Sequence, residues 1–385
     1  MAQPSKHLPH LDGLRALAAV YVVLHHTVAQ EADALLTPLG KILNGLFKYG
    51  HYSVDLFIVL SGFCLMLPIM NRQYELSGGP LNFFKKRAKR ILPPYLFGIA
   101  ISLLLIYFFV GKKTGTHWDM SIPVSLQDLY THLFLVHDFW ETTAYKINHA
   151  FWSISVECRI YLLFPFLLIL WKKLGAFTAL AATVITCVLI RVVLELLLPA
   201  YPTINTWSGV NPYLLLFAIG MLAAEFSYSD KYAAYREKMP WGIITCLMLL
   251  AIGYISYHPV KISGYSLMEI TDIVVGVFAF SLLVLVSKPA KNGTTHWTTK
   301  ILSWRPLVFT GTFAYSIYLL HAPLIQLIWQ LLKPFNLSTA STTVLGLIIG
   351  TPLILAASYL FFIAFERPFL KSHKVEKAMP TPVTT

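Results

Sequence analysis

Residues 83–110 read FFKKRAKRILPPYLFGIAISLLLIYFFV. Five cations fall within the six residues Lys85 to Arg90, and no charge follows until Lys112. An uncharged apolar run of about twenty residues matches the ~30 Å hydrocarbon core of a bilayer when helical. A cluster of Lys and Arg at one end, read here as lying in the inner loop before the span, is what holds such a helix to the cytoplasmic face. The stretch therefore predicts a membrane helix entered from the inside. Nine further apolar runs surround it, near 14–29, 53–70, 152–171, 175–198, 210–227, 241–257, 268–287, 306–330 and 343–365. The first follows Asp12-Gly13, where Asp12 is placed to cap a helix start. Counting all ten runs in chain order, the second is short, and the ninth, 306–330, is interrupted by Pro323. The alternating segments of ~10 residues that a membrane barrel needs are weak throughout. The expected fold is an all-α polytopic membrane protein with about ten transmembrane helices.

Composition agrees. Of the 385 residues 56% are hydrophobic and 12% charged, against about 25% charged in soluble domains. The formal charge of +12 raises nucleic acid as a partner, and its distribution answers that. With ten spans and an inner N-terminus, 21 Lys and Arg fall on inner segments and seven on outer ones. That is the bias of a membrane topology, so both termini are expected in the cytoplasm and no nucleic acid is expected. One membrane domain over 1–370 and a polar tail at 371–385 account for the chain. The N-terminus lacks the layout of a cleaved signal peptide. Cys64, Cys158, Cys187 and Cys246 lie in or beside apolar runs and form no metal or disulfide pattern.

Ionisable groups inside a bilayer are costly and mark function. On the first helix Arg15 and His26 are eleven residues apart, which is about 20° beyond three turns and about 16 Å along the axis. They share a face, and His25 points away from it. That span suits an extended cofactor arm with its phosphates near Arg15 and a reacting carbon near His26. Arg87 and Arg90, three apart, also share a face, and paired guanidinium forks suit a polyanionic nucleotide. A stop-transfer cluster or a lipid-headgroup anchor explains the same charges equally well. The fourth run opens with Trp152, Ser153, Ser155 and Glu157; Asp55 opens the second. Either carboxylate could orient His26. Ser61-Gly62 would let a neighbouring helix or ligand approach closely. Tyr318 and His321 share a face, and Pro323 frees a carbonyl that polar neighbours can satisfy. Glu195, Glu269 and Asp272 read as isolated helix-packing groups. Cys158 reads as an inert buried thiol. P-loop, dinucleotide, HExxH and GxSxG patterns are missing, and no metal site is expected.

These motifs, in order, resemble acyltransferase family 3, the integral-membrane O-acyltransferases of sugars and other hydroxyl compounds. They are Leu11-Asp12-Gly13-Leu14-Arg15 followed by His26, Val54-Asp55-Leu56-Phe57 through Ser61-Gly62-Phe63, and Arg87-x-x-Arg90 leading into Leu92-Pro93-Pro94-Tyr95. Then come Trp152-Ser153-Ile154-Ser155-Val156-Glu157, Ser316 through His321-Ala322-Pro323, and Glu366-Arg367-Pro368. Many relatives carry Glu-Glu or Glu-Gln where this chain has Glu157-Cys158-Arg159. The resemblance covers essentially the whole chain and implies ten core helices and a cytoplasmic acyl-CoA donor, usually acetyl-CoA. That donor is a co-substrate, with no permanently bound cofactor. The implied acceptor is a hydroxyl on an extracytoplasmic or lipid-linked saccharide. Some relatives carry an added extracytoplasmic esterase-like domain; none is read in this chain.

On this basis Arg15, Arg87, Arg90 and Lys86, with Ser155 and Trp152, are expected to bind the donor. His26 is expected to act as general base, with Asp55 and Glu157 as catalytic partners and Tyr318 and His321 on the acceptor. A multi-pass protein of the inner (cytoplasmic) membrane is implied. A macrolide-type metabolite remains an alternative acceptor. A transporter or flippase is the alternative from another class, and the inverted repeats it predicts are not detected.

Overall fold

A computed structural model describes residues 8–30, 37–197, 212–258, 267–288 and 296–370. The polar tail at 371–385 lies outside the described residues. Every regular element among them is helical. The first four helices are α1 (Pro9–Val28), α2 (Pro38–Phe47), α3 (His51–Met70) and α4 (Gly79–Leu105), the last continued by a π-helical turn at Ile106–Val110. A folded loop with the short helices α5 (Leu126–Leu133) and α6 (Glu141–Ala144) leads to α7 (Trp152–Leu174) and α8 (Ala176–Leu197). Next come α9 (Tyr213–Tyr228), α10 (Ala233–Lys238), α11 (Trp241–Tyr257) and α12 (Leu267–Val286). The chain closes with α13 (Trp297–Leu302), α14 (Arg305–Gly311), α15 (Ala314–Leu332), α16 (Thr339–Leu345) and α17 (Thr351–Phe361).

Over the described residues, all ten apolar runs fall on helices. Five helical stretches among the described residues are long and apolar enough to cross a membrane: Pro38–Met70, Gly79–Val110, Trp152–Leu174, Ala314–Phe335 and Thr339–Phe369. Asp230–Lys238 and Trp241–Tyr257, bent by 74°, make a sixth if taken as one span. The chain is therefore a polytopic helical membrane protein. Its outer helices expose large apolar side chains such as Phe108, Phe166, Leu250 and Leu360, a surface that belongs in lipid. Helix α9 is buried along its length, from Tyr213 to Ser227, as expected of a central helix that is apolar all round.

Three sequence expectations need correction. Asp12 is no cap: α1 starts at Pro9, whose fixed φ suits the first helical position, and Asp12 sits inside the first turn. The cations Lys85 to Arg90 lie within α4 rather than in a loop. Pro323 does not interrupt its span, because α15 runs through it. The Leu319 carbonyl, which loses its helical donor to Pro323, accepts instead from Asn148 Nδ2 at 3.0 Å. The break comes earlier, between α14 and α15.

Glycines set the closest crossings. A Cβ on Gly62 would lie 2.0 Å from the Phe217 carbonyl oxygen, and one on Gly220 2.0 Å from that of Val59. This reciprocal pair lets α3 and α9 pack backbone to backbone, the close approach that small residues allow in membranes. Gly13 lies under the Leu302 carbonyl and Gly311 under that of Asp12. That second crossing seats the start of α1, and with it Arg15, against α13 and α14.

Candidate active site

Two polar regions flank the middle of α1. The first is a cavity of about 360 Å³ between α1, α3, α4, α7, α14 and α15. Arg15, Arg87 and Arg90 all line it, so the three guanidinium groups picked out on sequence converge. Arg90 is exposed and Arg87 half-buried, which marks the cation-rich end as the mouth. Arg15 donates to Asp12 Oδ1 at 2.6 Å and to Cys64 Sγ at 3.0 Å, so its fork is already oriented. Glu157 also lines the cavity. It accepts from Ser61 Oγ at 3.0 Å and from the Tyr161 hydroxyl. Phe57, Ser153 and Tyr318 line it as well. The Tyr318 hydroxyl lies 2.6 Å from Ser153 Oγ and donates to the Ala150 carbonyl at 2.9 Å, which fixes this ring as a partition.

Beyond Tyr318 lies a cluster of imidazoles. The His321 ring centroid is 5.6 Å from that of Tyr318 and 5.1 Å from that of His26. His26 in turn is 4.9 Å from His149 and 5.8 Å from His117. Because a carbonyl only accepts, His321 Nδ1 donates to Tyr318 O (2.8 Å). Its Nε2 is left as a buried lone pair without a partner. His26 Nδ1 and His149 Nε2 are likewise buried and unpartnered. By the same logic His25 Nδ1 donates to Phe47 O at 2.7 Å and holds the end of α2 instead. The loop before α7 supplies His117 and His149. It is pinned there by His117 N–H to Gln30 O (3.1 Å) and by Thr116 Oγ1 to Gln326 Oε1 (2.8 Å). Burial holds His149 well below the usual histidine range, helped by its imidazole neighbours, and burial lowers His117 too. These rings are neutral near pH 7, so they can take up a proton or bind a cation. One donor atom from each of His26, His117 and His149 lies within 4.8 Å of the others.

The other sequence candidates are placed apart. Asp55 does not meet His26. It is buried beside His51 and Asp272, with His51 Nε2 3.8 Å from Asp55 Oδ1 and 3.1 Å from Asp272 Oδ1. Asp272 is thus no isolated packing group, since α12 carries it to α3. Glu195 and Glu269 fall where side chains are not described. Glu157 turns to Ser61 and Tyr161 rather than to His26, so neither carboxylate orients that ring. Ser155 is buried against His137, 3.2 Å from its Nδ1. Trp152 stacks on His51 (6.2 Å, 12°), and Lys86 is exposed. None of these three lines the cavity. Arg159 forms a bidentate pair with Asp138 over the Phe139 ring.

Sequence reasoning missed His117, His149, Cys64 and Tyr161. The one signal for the first two was the run of histidines in the loop before α7, at 117, 132, 137 and 149.

A family model described as an acyltransferase domain matches residues 8–363. The chain is similar to the O-acetyltransferase OatA of Staphylococcus aureus, 24% identical over 347 residues, which take in 83% of this chain and 51% of that protein. It is similar to the peptidoglycan O-acetyltransferase OatA of Listeria monocytogenes, 25% identical over 358 residues, with 85% and 51% covered. The chain spans about half the length of these relatives. No solved structure matches it. The domain match runs from the start of α1 to the π-helical turn after α17 and takes in both the cavity and the imidazole cluster; the chain belongs to acyltransferase family 3.

Proposed function

We propose that this chain is a membrane O-acyltransferase. It moves an acyl group, acetyl by preference, from acyl-CoA to a hydroxyl of an extracytoplasmic or lipid-linked saccharide. The observation that carries the reading is a single uninterrupted helix. Helix α1 holds Arg15 in the guanidinium-lined cavity and His26 in the imidazole cluster, about 16 Å further along its axis. In this reading ten segments cross the inner membrane and both termini are cytoplasmic, which puts the cavity mouth on the cytoplasmic side.

The donor phosphates bind Arg87 and Arg90 at the mouth, with Arg15 deeper. The pantetheine arm extends past Ser61 and Glu157 and brings the thioester to the Tyr318 partition. At the far side His26 takes the proton of the acceptor hydroxyl as its oxygen attacks the thioester carbonyl. The C–S bond breaks, the imidazolium returns its proton to the departing thiolate, and ester and free CoA result. Neutral imidazole suits this exchange near pH 7. A peptidoglycan-like saccharide is the acceptor class supported by the relatives at about a quarter identity.

Two variants separate binding from chemistry. His26→Ala should retain CoA affinity and lose at least 100-fold in transfer, the usual worth of a positioned general base. Arg87→Glu with Arg90→Glu should weaken CoA binding in a folded protein, read by calorimetry in detergent. Near-normal turnover by His26→Ala, or unchanged CoA affinity in the double variant, would overturn the respective assignment.

A further inference from the structure

We propose that His51, Asp55 and Asp272 form a binding site for a divalent cation of the zinc class, between α3 and α12 and separate from the acyl-transfer path. Both aspartate side chains have no solvent exposure. None of their four carboxylate oxygens accepts a hydrogen bond from another residue, nor does His51 Nε2 make one, and the two carboxyl groups face each other closely enough to share a proton. The His51 contacts, at 3.1 Å to Asp272 and 3.8 Å to Asp55, lack hydrogen-bond geometry. Two ionised carboxylates side by side in a membrane interior cost several kcal/mol each, a cost that a bound dication relieves and that a shared proton is the competing way to remove.

The spacing says which partner. Ligands bound to zinc at about 2.0–2.2 Å in a tetrahedron stand about 3.3 Å from one another, between the two observed distances. One donor from each of the three residues lies within 4.8 Å of the others. An imidazole nitrogen with two carboxylate oxygens suits a first-row divalent ion, whereas calcium asks for six or more oxygens. Charge closes as well, since a dication balances two carboxylates beside a neutral imidazole. Trp152 stacks on the His51 ring and packs against Tyr213, which fixes the imidazole plane as an outer-shell partner does. His51 is the one ligand with any exposure, 20%, and that side gives water the fourth position. The site would clamp α3, which carries Ser61 and Cys64 to the cavity, onto α12.

The test uses the full chain in detergent, equilibrated with Zn²⁺, desalted and analysed for metal by mass spectrometry. The comparison is with the isosteric double variant Asp55→Asn, Asp272→Asn, which removes the charge without changing the shape. The wild type should hold one more zinc per chain than the variant, and zinc should raise its thermal midpoint while leaving the variant's unchanged. Equal zinc in both proteins would place any metal elsewhere, at the imidazole cluster for instance, and overturn the proposal. Absence of zinc from the wild type would do the same and leave a shared proton as the partner of the pair. His51→Ala, neutral and smaller, should lose the same equivalent.

Discussion

Replacing Gly62 by alanine should loosen the crossing that holds the cavity wall in place. The added Cβ would lie 2.0 Å from the Phe217 carbonyl oxygen, 2.9 Å from its carbon and 3.2 Å from its Cα. A relaxed carbon–oxygen contact is about 3.3 Å or more, so α3 and α9 must part by roughly 1.3 Å. Backbone atoms cannot rotate aside as a side-chain tip would. A gap of that order forfeits about half or more of each dispersion contact across the seam, and dispersion is the main force joining helices in lipid. Leu60, Phe63, Met66, Leu216 and Met221, all buried, would lose packing together. The expected cost is about 3 kcal/mol, the upper part of the range for overpacked cores. Equilibrium denaturation by SDS in mixed micelles measures it, with Gly45→Ala, where a Cβ meets nothing within 4 Å, as control. Stability equal to that of the control would refute the account of the crossing. Gly220→Ala should cost a similar amount. Because the two changes act on one seam, the double variant should cost less than their sum.

Two further outcomes follow from other contacts. Asn148→Ala leaves the Leu319 carbonyl, freed by Pro323, without its donor, and stability in the same micelles should fall by about 1–3 kcal/mol; Asn148→Asp, which cannot donate there when ionised, should not rescue it. Burial holds the His132 imidazole down to about 4, with smaller opposing help from Asp128, and His137, stacked on it at 3.8 Å, is lowered too. The unfolded loop, with histidine near 6.5, therefore binds protons first, and stability is lost as pH falls from about 6.5 to about 4, by about 3 kcal/mol for His132 alone. Hydrogen exchange over 126–139, corrected for intrinsic rates, should show less protection at pH 5 than at pH 7, and equal protection would count against it.

The helical membrane architecture was legible because each apolar run is local and long enough to stand alone. The Arg15–His26 register was legible for the same reason, since one unbroken helix fixes it. Arg87 and Arg90 converge with Arg15 because helical spacing gave their shared face. What escaped depends on tertiary contact. Asp55 and Asp272 stand on helices far apart in sequence, so neither run hints at the other. His117 and His149 reach His26 through a loop whose docking rests on Gln30, Thr116 and Gln326, polar groups without periodicity. Ser155 and Trp152 share a motif with Glu157, yet helical rotation turns them to His137 and His51. Pro323 misled because its cost depends on a donor supplied from Asn148, which precedes another helix.

The central claim is transfer from a donor held at the guanidinium end to an acceptor at the imidazole end. Sealed vesicles containing the full chain in one orientation test it most directly, with radiolabelled acetyl-CoA only on the side of Arg87 and Arg90. A membrane-impermeant saccharide acceptor is supplied only on the opposite side. The account predicts labelled ester on that saccharide, lost in His26→Ala and requiring an intact membrane seal for its sidedness. Label appearing only when both substrates share the arginine side would contradict it.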